Sequence, residues 1–138
     1  MTAFLLYRIA SVLLLLFAAG HTLGFRQVDP RWGVDAPIES LKVTHFQIQG
    51  MSRTYWGFYT GFGLFVSVLL VFTAVLAWQM GGMPREMLRA MPLIRWGLAL
   101  CFVAVTYLSW QYFFMVPLAF SGIIAICLLA AAWRGARV

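Results

Sequence analysis

The hydrophobic positions of this chain fall into four long runs, and the stretches between them hold most of the charged residues. A helix needs about 20 apolar residues to cross the hydrocarbon core of a bilayer. We therefore predict four transmembrane helices, over residues 4–24, 54–80, 92–112 and 117–133. The fold class that we expect is an all-α membrane protein, a four-helix transmembrane bundle that occupies residues 1–138 as a single transmembrane domain.

The first run has a second interpretation, because a positive start, an apolar core and small residues at the end are also typical of a signal peptide. Arg8 supplies the charge, and Ala18, Ala19 and Gly20 supply the small residues. We expect this segment to be retained as a membrane anchor. Arg8 would then extend its apolar stem along the helix and place its charge at the interface.

The longest connection, residues 25–52, contains three of the four acidic residues. Asp35 and Pro37 suit the start of a helix, and Gly50 suits its end. We predict an amphipathic helix of about three turns that lies on the membrane or over the bundle. Its apolar side would consist of Ile38, Leu41, His45 and Ile48. The alternation in residues 46–49 is also compatible with a short strand.

The two short connections contain residues that interrupt helices. Glycine, proline and charge in residues 81–86 predict a loop. Proline disfavours helical geometry at the residue before it, so we expect Val116 to lie outside the fourth helix. That helix would begin at Pro117 and would be the shortest of the four.

Composition indicates that lipid is the main solvent of this chain. It is 63% hydrophobic and 10% charged, whereas a soluble domain carries about 25% charged residues. The net charge of +6 comes from basic residues at the ends of the predicted helices, where they contact anionic head groups. There is no basic stripe suited to nucleic acid, which we exclude as a partner. Cys101 and Cys127 lie inside predicted helices, which favours a packing role.

The basic residues also predict an orientation. Six of them fall on one side of the predicted bundle: Arg8, Arg85, Arg89, Arg95, Arg134 and Arg137. The other four, Arg26, Arg31, Lys42 and Arg53, share their side with three acids. By the positive-inside rule we expect both termini in the cytoplasm and the long connection outside.

Polar and aromatic residues gather at the outer ends of the predicted helices. Polar groups in a membrane are costly unless they face the bundle interior or water, so this pattern predicts a pocket under the long connection. The candidate ligand-binding residues are Arg53, Tyr55, Trp56, Tyr59, Tyr107, Trp110, Gln111 and His45. An aromatic belt at the interface would explain the same rings. A belt does not require the helical spacing of Tyr55 and Tyr59, however.

His21 is the candidate catalytic residue, because a neutral imidazole can act as an acid–base group. It could instead bond a backbone carbonyl or a neighbouring threonine. Together with His45 it could ligate haem or a metal ion, but the sequence has no HxxxH, HExxH or CxxC motif. We assign no metal site, and the cofactor is unknown. Arg53 could pair with an acid or bind a lipid phosphate.

Two glycine pairs, Gly20 with Gly24 and Gly57 with Gly61, have the small-xxx-small spacing of helix-packing motifs. Both pairs lie at the predicted outer end. They predict close packing of the first and second helices, or packing between subunits.

Two stretches of the chain, GHTLG at residues 20–24 and RTYWGFYTGFGL at residues 53–64, are distinctive. They resemble the signature segments of an uncharacterised family of small four-helix bacterial integral membrane proteins. The resemblance implies a four-span architecture and a bacterial source, and therefore the cytoplasmic (inner) membrane. It implies no particular activity.

We therefore expect one of two functions. In the first, the protein binds or acts on a hydrophobic ligand, a lipid or a quinone, with His21 as acid–base group and Arg53 as head-group anchor. In the second, it is a structural or accessory subunit without catalytic activity, in a homo-oligomer or with a membrane partner protein. A proton-driven transporter is disfavoured, because no Asp or Glu lies inside a predicted helix.

Overall fold

The structure, a computed structural model, describes residues 2–136 and is almost entirely helical. Its elements in chain order are α1 (Ala3–Gly24), a 3₁₀ turn (Pro30–Trp32), α2 (Asp35–Val43), β1 (His45–Ile48), β2 (Met51–Thr54), α3 (Tyr55–Met80), α4 (Arg85–Ala90), α5 (Pro92–Tyr112) and α6 (Met115–Ala136). Four of the helices, α1, α3, α5 and α6, are long and apolar enough to cross a membrane. The predicted fold class is confirmed. Arg137, which we counted in the orientation, lies outside the described residues.

The predicted bounds of the first three long helices agree with the structure to within one residue. The fourth prediction was wrong at its start, because α6 begins at Met115 and includes Val116. Pro117 is then the third residue of the helix. The first turn of a helix has no acceptors for its N–H groups, so proline is tolerated there. With two more residues at its start and three more at its end than predicted, α6 has 22 residues and is as long as α1.

The predicted amphipathic helix of the long connection is only partly formed. Its first part is α2, which begins at the predicted Asp35 but ends at Val43 after nine residues. The second half of the predicted amphipathic helix was wrong, since His45 and Ile48 lie in β1 instead. The alternative of a short strand is confirmed, and its partner is β2.

A two-residue turn explains why the chain forms a hairpin here. Gln49 and Gly50 both have positive φ angles, 49° and 78°. Positive φ at both central residues is typical of the tight turn that matches the twist of two antiparallel strands. Gly50 adopts this geometry without steric cost. The sequence Gln49-Gly50 therefore reverses the chain rather than ending a helix.

The connection after α3 is shorter than predicted. A turn at residues 81–83 is followed by α4, whose N-cap residue is Pro84. Glu86 lies in the first turn of α4 and Arg89 in its last turn. This order of charges suits the helix dipole and stabilises a short helix.

The chain divides into two compact units. We call residues 1–17 with 70–138 the core unit, and residues 18–69 the hairpin unit. Both α1 and α3 are divided between the two units. The single-domain organisation stays a prediction.

The core unit contains segments of all four long helices, packed through small residues. Buried alanines on α1, α3, α5 and α6 have almost no accessible surface: Ala10, Ala74, Ala77, Ala99, Ala131 and Ala132. Small side chains allow helix backbones to approach closely in lipid, where packing drives association. Two contacts illustrate the result. Ser11 Oγ donates to the Ala74 carbonyl at 2.7 Å, and Phe17 stacks on Phe120 with ring centroids 5.5 Å apart.

In the hairpin unit the close approach of α1 and α3 occurs at Gly63. A side chain added there would overlap the ring of Phe25, which follows α1 directly. By contrast, nothing in the described part of the chain lies within 4 Å of a Cβ built on Gly20, Gly24 or Gly61. The prediction that these glycines pack the two helices together within one chain was therefore wrong. The spacing of the pairs was regular, but spacing alone does not tell which glycine faces a neighbour.

We predict that Gly63→Ala destabilises the protein by about 1–3 kcal/mol, because the Phe25 ring must move to admit the new methyl group. The matched control is Gly61→Ala, in the same helix but without a neighbour. It should be neutral or more stable by up to about 1 kcal/mol, since alanine favours helices over glycine. The measurement is thermal unfolding in a mild detergent, followed by circular dichroism. Equal effects of the two substitutions would contradict this account.

Candidate functional site

The predicted outer site is organised by the start of α3. Thr54 is the last residue of β2, and its Oγ1 accepts a hydrogen bond from the Gly57 N–H at 3.0 Å. A threonine at this position caps the free N–H groups of the first turn. The cap places Tyr55 and Trp56 at the top of the helix, one turn above Tyr59. Arg53 consequently lies in the hairpin and not in α3.

Four rings in the hairpin unit form a continuous series, which we call the ring row: His21, Phe25, Tyr59 and Trp56. His21 stacks on Phe25 at 5.0 Å, Phe25 contacts Tyr59 at 5.8 Å, and Tyr59 contacts Trp56 at 5.4 Å between centroids. Lys42 from α2 places its Nζ 5.4 Å from the centre of the Trp56 ring. The ring row therefore begins at the end of α1 and has a cation at its other end.

A second group of rings holds the hairpin against α3. Phe46 of β1 contacts Tyr55 at 5.0 Å and Phe58 at 5.5 Å between centroids. Tyr55 is nevertheless 62% exposed. Of the predicted ligand-binding residues, Trp56 and Tyr59 thus belong to the ring row, and Tyr55 belongs to this second group.

His21 has a definite hydrogen-bond partner. Its Nε2 lies 3.0 Å from the Gly63 carbonyl oxygen. A carbonyl only accepts, so Nε2 carries the proton and donates it. The sequence left open whether His21 bonds a backbone carbonyl, and in the structure it does. A catalytic role stays a prediction, and Nδ1 is the ring atom that would have to perform it.

Two hydroxyl groups extend this network. Thr22 follows His21 in α1, and Ser67 lies one turn after Gly63 in α3. Thr22 Oγ1 donates to the Ala18 carbonyl at 2.7 Å and lies 2.8 Å from Ser67 Oγ. Ser67 Oγ in turn lies 3.2 Å from the Gly63 carbonyl. Hydrogen bonds between transmembrane helices contribute about 0.6 kcal/mol each on average. Together these contacts connect α1 and α3 by polar groups that would otherwise lack partners in lipid.

Arg53 and His45 are both exposed, and each forms hydrogen bonds with residues one or two positions away in the sequence. Arg53 donates from Nη1 to the Ser52 carbonyl at 2.8 Å, and His45 Nδ1 lies 2.9 Å from the Val43 carbonyl. Neither residue reaches the ring row through a described hydrogen bond. Within residues 2–136 no group of three or more His, Cys, Asp and Glu side chains could hold a metal ion.

Two of the three acids of the long connection have closer partners than Arg53. Asp29 accepts from Arg31 at 2.6 Å, and Glu39 lies 3.4 Å from Lys42. The Arg31 guanidinium holds the pKa of the Asp29 carboxyl below its usual value. The predicted ion pair of Arg53 with an acid is not found in the described residues.

The remaining predicted ligand-binding residues, Tyr107, Trp110 and Gln111, belong to the core unit. They lie on the last turns of α5, where all three are exposed. The rings of Tyr107 and Trp110 are 6.0 Å apart.

Sequence reasoning missed two buried polar residues at the predicted cytoplasmic end of the core unit. Tyr7 is 0% exposed and Arg95 only 4% exposed. Arg95 donates from Nη1 to the Ala132 carbonyl near the end of α6, at 3.1 Å. Arg95 entered the prediction only as one of the six arginines on one side of the bundle. Its helical spacing with the buried Ala99 and Phe102 could have identified it.

No family model matches this chain, and no curated protein and no solved structure is significantly similar to it. The functional argument therefore rests on geometry. The family resemblance noted above stays a prediction.

We predict that His21→Ala lowers the unfolding free energy by about 0.5–1.5 kcal/mol, because it removes a hydrogen bond to Gly63. The matched control is His45→Ala, whose ring is exposed and bonds only a carbonyl two residues away. That variant should unfold like the wild type. Thermal unfolding in detergent measures the stability of both variants. A His21→Ala variant as stable as the wild type would contradict the structural role of His21.

A further prediction concerns hydroxyl groups. The Tyr7 hydroxyl is buried without a hydrogen-bond partner among the described residues. Tyr7→Phe should therefore be neutral or stabilising by up to about 1–3 kcal/mol, because an unsatisfied buried group is removed. The matched control is Tyr59→Phe, whose hydroxyl donates to the Phe25 carbonyl at 2.5 Å. The control should cost about 1 kcal/mol in the same unfolding measurement. A destabilised Tyr7→Phe would show that the hydroxyl has a partner after all.

Proposed function

We propose that the hairpin unit binds the polar end of a hydrophobic ligand, a lipid or a quinone, at the outer face of the membrane. The observation that carries this proposal is the ring row with Lys42 at its end. Aromatic rings offer flat apolar faces at the depth where a head group meets an acyl chain or an isoprenoid tail. The adjacent ammonium offers hydrogen bonds to a phosphate or a quinone carbonyl.

The hydrogen bonding of the ring row supports binding rather than catalysis. His21 Nε2 and the Tyr59 hydroxyl are both engaged with backbone carbonyls. These bonds hold the two rings in place, so the row is preorganised for a ligand. Two cations lie next to the row, Lys42 at Trp56 and Arg26 at Phe25. The ion pair of Lys42 with Glu39 is long at 3.4 Å. A long exposed pair is weak, so the ammonium is free to exchange Glu39 for a ligand.

The proposed location is the cytoplasmic (inner) membrane of a bacterium, with both termini in the cytoplasm. The distribution of arginines supports this orientation, since α4 contains Arg85 and Arg89 and the last turn of α6 contains Arg134. The hairpin and the ring row would then face outward. A ligand from the outer leaflet would reach the rings without crossing the bilayer.

The open glycine faces favour a second candidate, an accessory subunit of a membrane complex. Gly20, Gly24 and Gly61 have nothing within 4 Å of a built side chain in the described chain. Such faces let another helix approach closely. A second copy of this chain or a membrane partner protein could pack there.

Native mass spectrometry of the protein in a mild detergent tests both candidates. For the first we expect a small molecule retained at one copy per chain in the wild type and lost in Trp56→Leu, because the ring next to Lys42 at the end of the ring row is removed. The control is Trp32→Leu, an exposed tryptophan outside the ring row, which should retain the molecule.

The same spectra define the opposing outcome. An oligomer without any small molecule, which Gly61→Leu converts to monomers, would reject ligand binding and support the accessory subunit. Retention that is unaffected by Trp56→Leu would show that the ring row is not the binding surface.

A further inference from the structure

We propose that the core unit binds an anionic phospholipid at its predicted cytoplasmic end, with Arg8 holding the phosphate and two apolar grooves receiving the acyl chains. This site is separate from the ring row and does not depend on the function proposed above. It is built from α1, α3 and the turn that follows α3.

Arg8 is held by a ring and not by an acid. Its Cζ lies 3.6 Å above the centre of the Trp78 ring and 5.3 Å from that of Phe4. A guanidinium that stacks on an aromatic ring keeps its charge, and its N–H groups point outward in the plane. The stack therefore orients Arg8 without neutralising it.

The donors of this guanidinium lack acceptors in the described chain. The Nε–H of Arg8 is buried without a hydrogen-bond partner, and no carboxylate within residues 2–136 forms an ion pair with Arg8. Glu86 is the one acid in the sequence of the core unit, and it lies on the exposed surface of α4. A charge inside a transmembrane segment is costly unless something pairs with it. The Nε–H is too buried for a ligand to reach, so an anion from outside the chain would pair with the two Nη groups of Arg8.

The turn after α3 is shaped around Arg8. A Cβ built on Gly81 would lie only 3.1 Å from Arg8 Nε, and one on Gly82 would lie 3.3 Å from Arg8 Nη2. Any larger residue at Gly81 would have to displace the guanidinium or its stem. Two consecutive glycines thus leave room for the arginine head at the end of α3.

Two shallow apolar grooves, both wide open to the surroundings, lie on the surface of the core unit next to this position. One, of about 250 Å³, is lined by Ser11, Leu15, Ala74, Val75 and Trp78. The other, of about 280 Å³, is lined by Arg8, Ile9, Val12 and Leu13. Residues 12–15 lie about 6–10 Å further along α1 than Arg8, at 1.5 Å per residue. The grooves therefore extend from the guanidinium toward the middle of the membrane, as acyl chains do.

Charge complementarity selects the occupant. A guanidinium fork matches the oxygens of a phosphate and bonds it in a bidentate manner. Basic sites between transmembrane helices on the cytoplasmic side bind anionic head groups. Arg95, the other arginine of the bundle interior, also has a buried Nε without a partner among the described residues. It is only 4% exposed and donates to the Ala132 carbonyl, so a lipid phosphate does not reach it. A zwitterionic lipid would also offer a phosphate to Arg8, but its own cation would leave the site with a net positive charge.

The test uses native mass spectrometry of the full chain in a neutral detergent, with phosphatidylglycerol or phosphatidylcholine added. We expect one tightly bound phosphatidylglycerol per wild-type chain and at least about tenfold weaker binding to Arg8→Gln, because the charge-assisted bonds are lost. The matched control is Arg85→Gln, which removes a charge from an exposed position at the same predicted membrane face. It should bind like the wild type. Equal weakening in both variants would show a general surface-charge effect and overturn the proposal.

A second variant keeps the test decisive if Arg8→Gln does not fold. Val12 is 49% exposed in one groove, so Val12→Trp fills that groove and leaves Arg8 in place. We expect it to weaken phosphatidylglycerol binding, and unchanged binding would overturn the groove assignment. Displacement of the lipid by millimolar inorganic phosphate would identify a site for free anions and reject the lipid. Trp56→Leu should leave this binding intact, so the two proposals fail independently.

Discussion

Hydrocarbon offers no hydrogen-bond partner, and this constraint explains the placement of the polar side chains in α1 and α3. Several of them find an acceptor inside the chain, because an unpaired polar group in lipid is costly. The hydroxyls of Tyr7 and Thr60 are exceptions, since they have no partner among the described residues. In the core unit Ser11 bonds the Ala74 carbonyl, and in the hairpin unit His21 bonds the Gly63 carbonyl. The same two helices are thus connected by polar contacts in each unit. Gly63 has two roles in this arrangement, since its carbonyl accepts His21 and its missing side chain admits Phe25.

The charged residues of the core unit obey the same constraint in different ways. Arg95 is buried and donates to a carbonyl near the C-terminal end of α6, where the helix dipole favours a cation. Arg8 stacks on Trp78 and keeps an unpaired donor. The predicted cytoplasmic end of the protein is therefore cationic, whereas the first turns of α3 are rich in uncharged rings. This difference is why we assign different ligand chemistry to the two regions.

Several features of the candidate site were accessible from the sequence, because they depend on helical spacing. Tyr55, Trp56 and Tyr59 lie in the first turns of α3 as predicted, although Tyr55 contacts Phe46 and Tyr59 contacts Trp56. The contacts made by Phe25 and Phe46 were not accessible. Both residues lie in the long connection, and their positions depend on how the end of α1 and the hairpin meet α3. Periodicity describes one element at a time and contains no information on such contacts.

The sequence by itself determined the four long helices, because the length and apolarity required to cross a bilayer are set by the bilayer and can be counted along the chain. Local turn chemistry at Gln49-Gly50 was also present in the sequence, although its consequence for β1 and β2 became clear only in the folded chain. Tertiary structure alone decided which polar groups are buried. Tyr7 and Arg95 lie at helix ends, where a side chain either faces head groups or turns into the bundle. That choice depends on the rotation of each helix against its neighbours, which hydropathy does not encode.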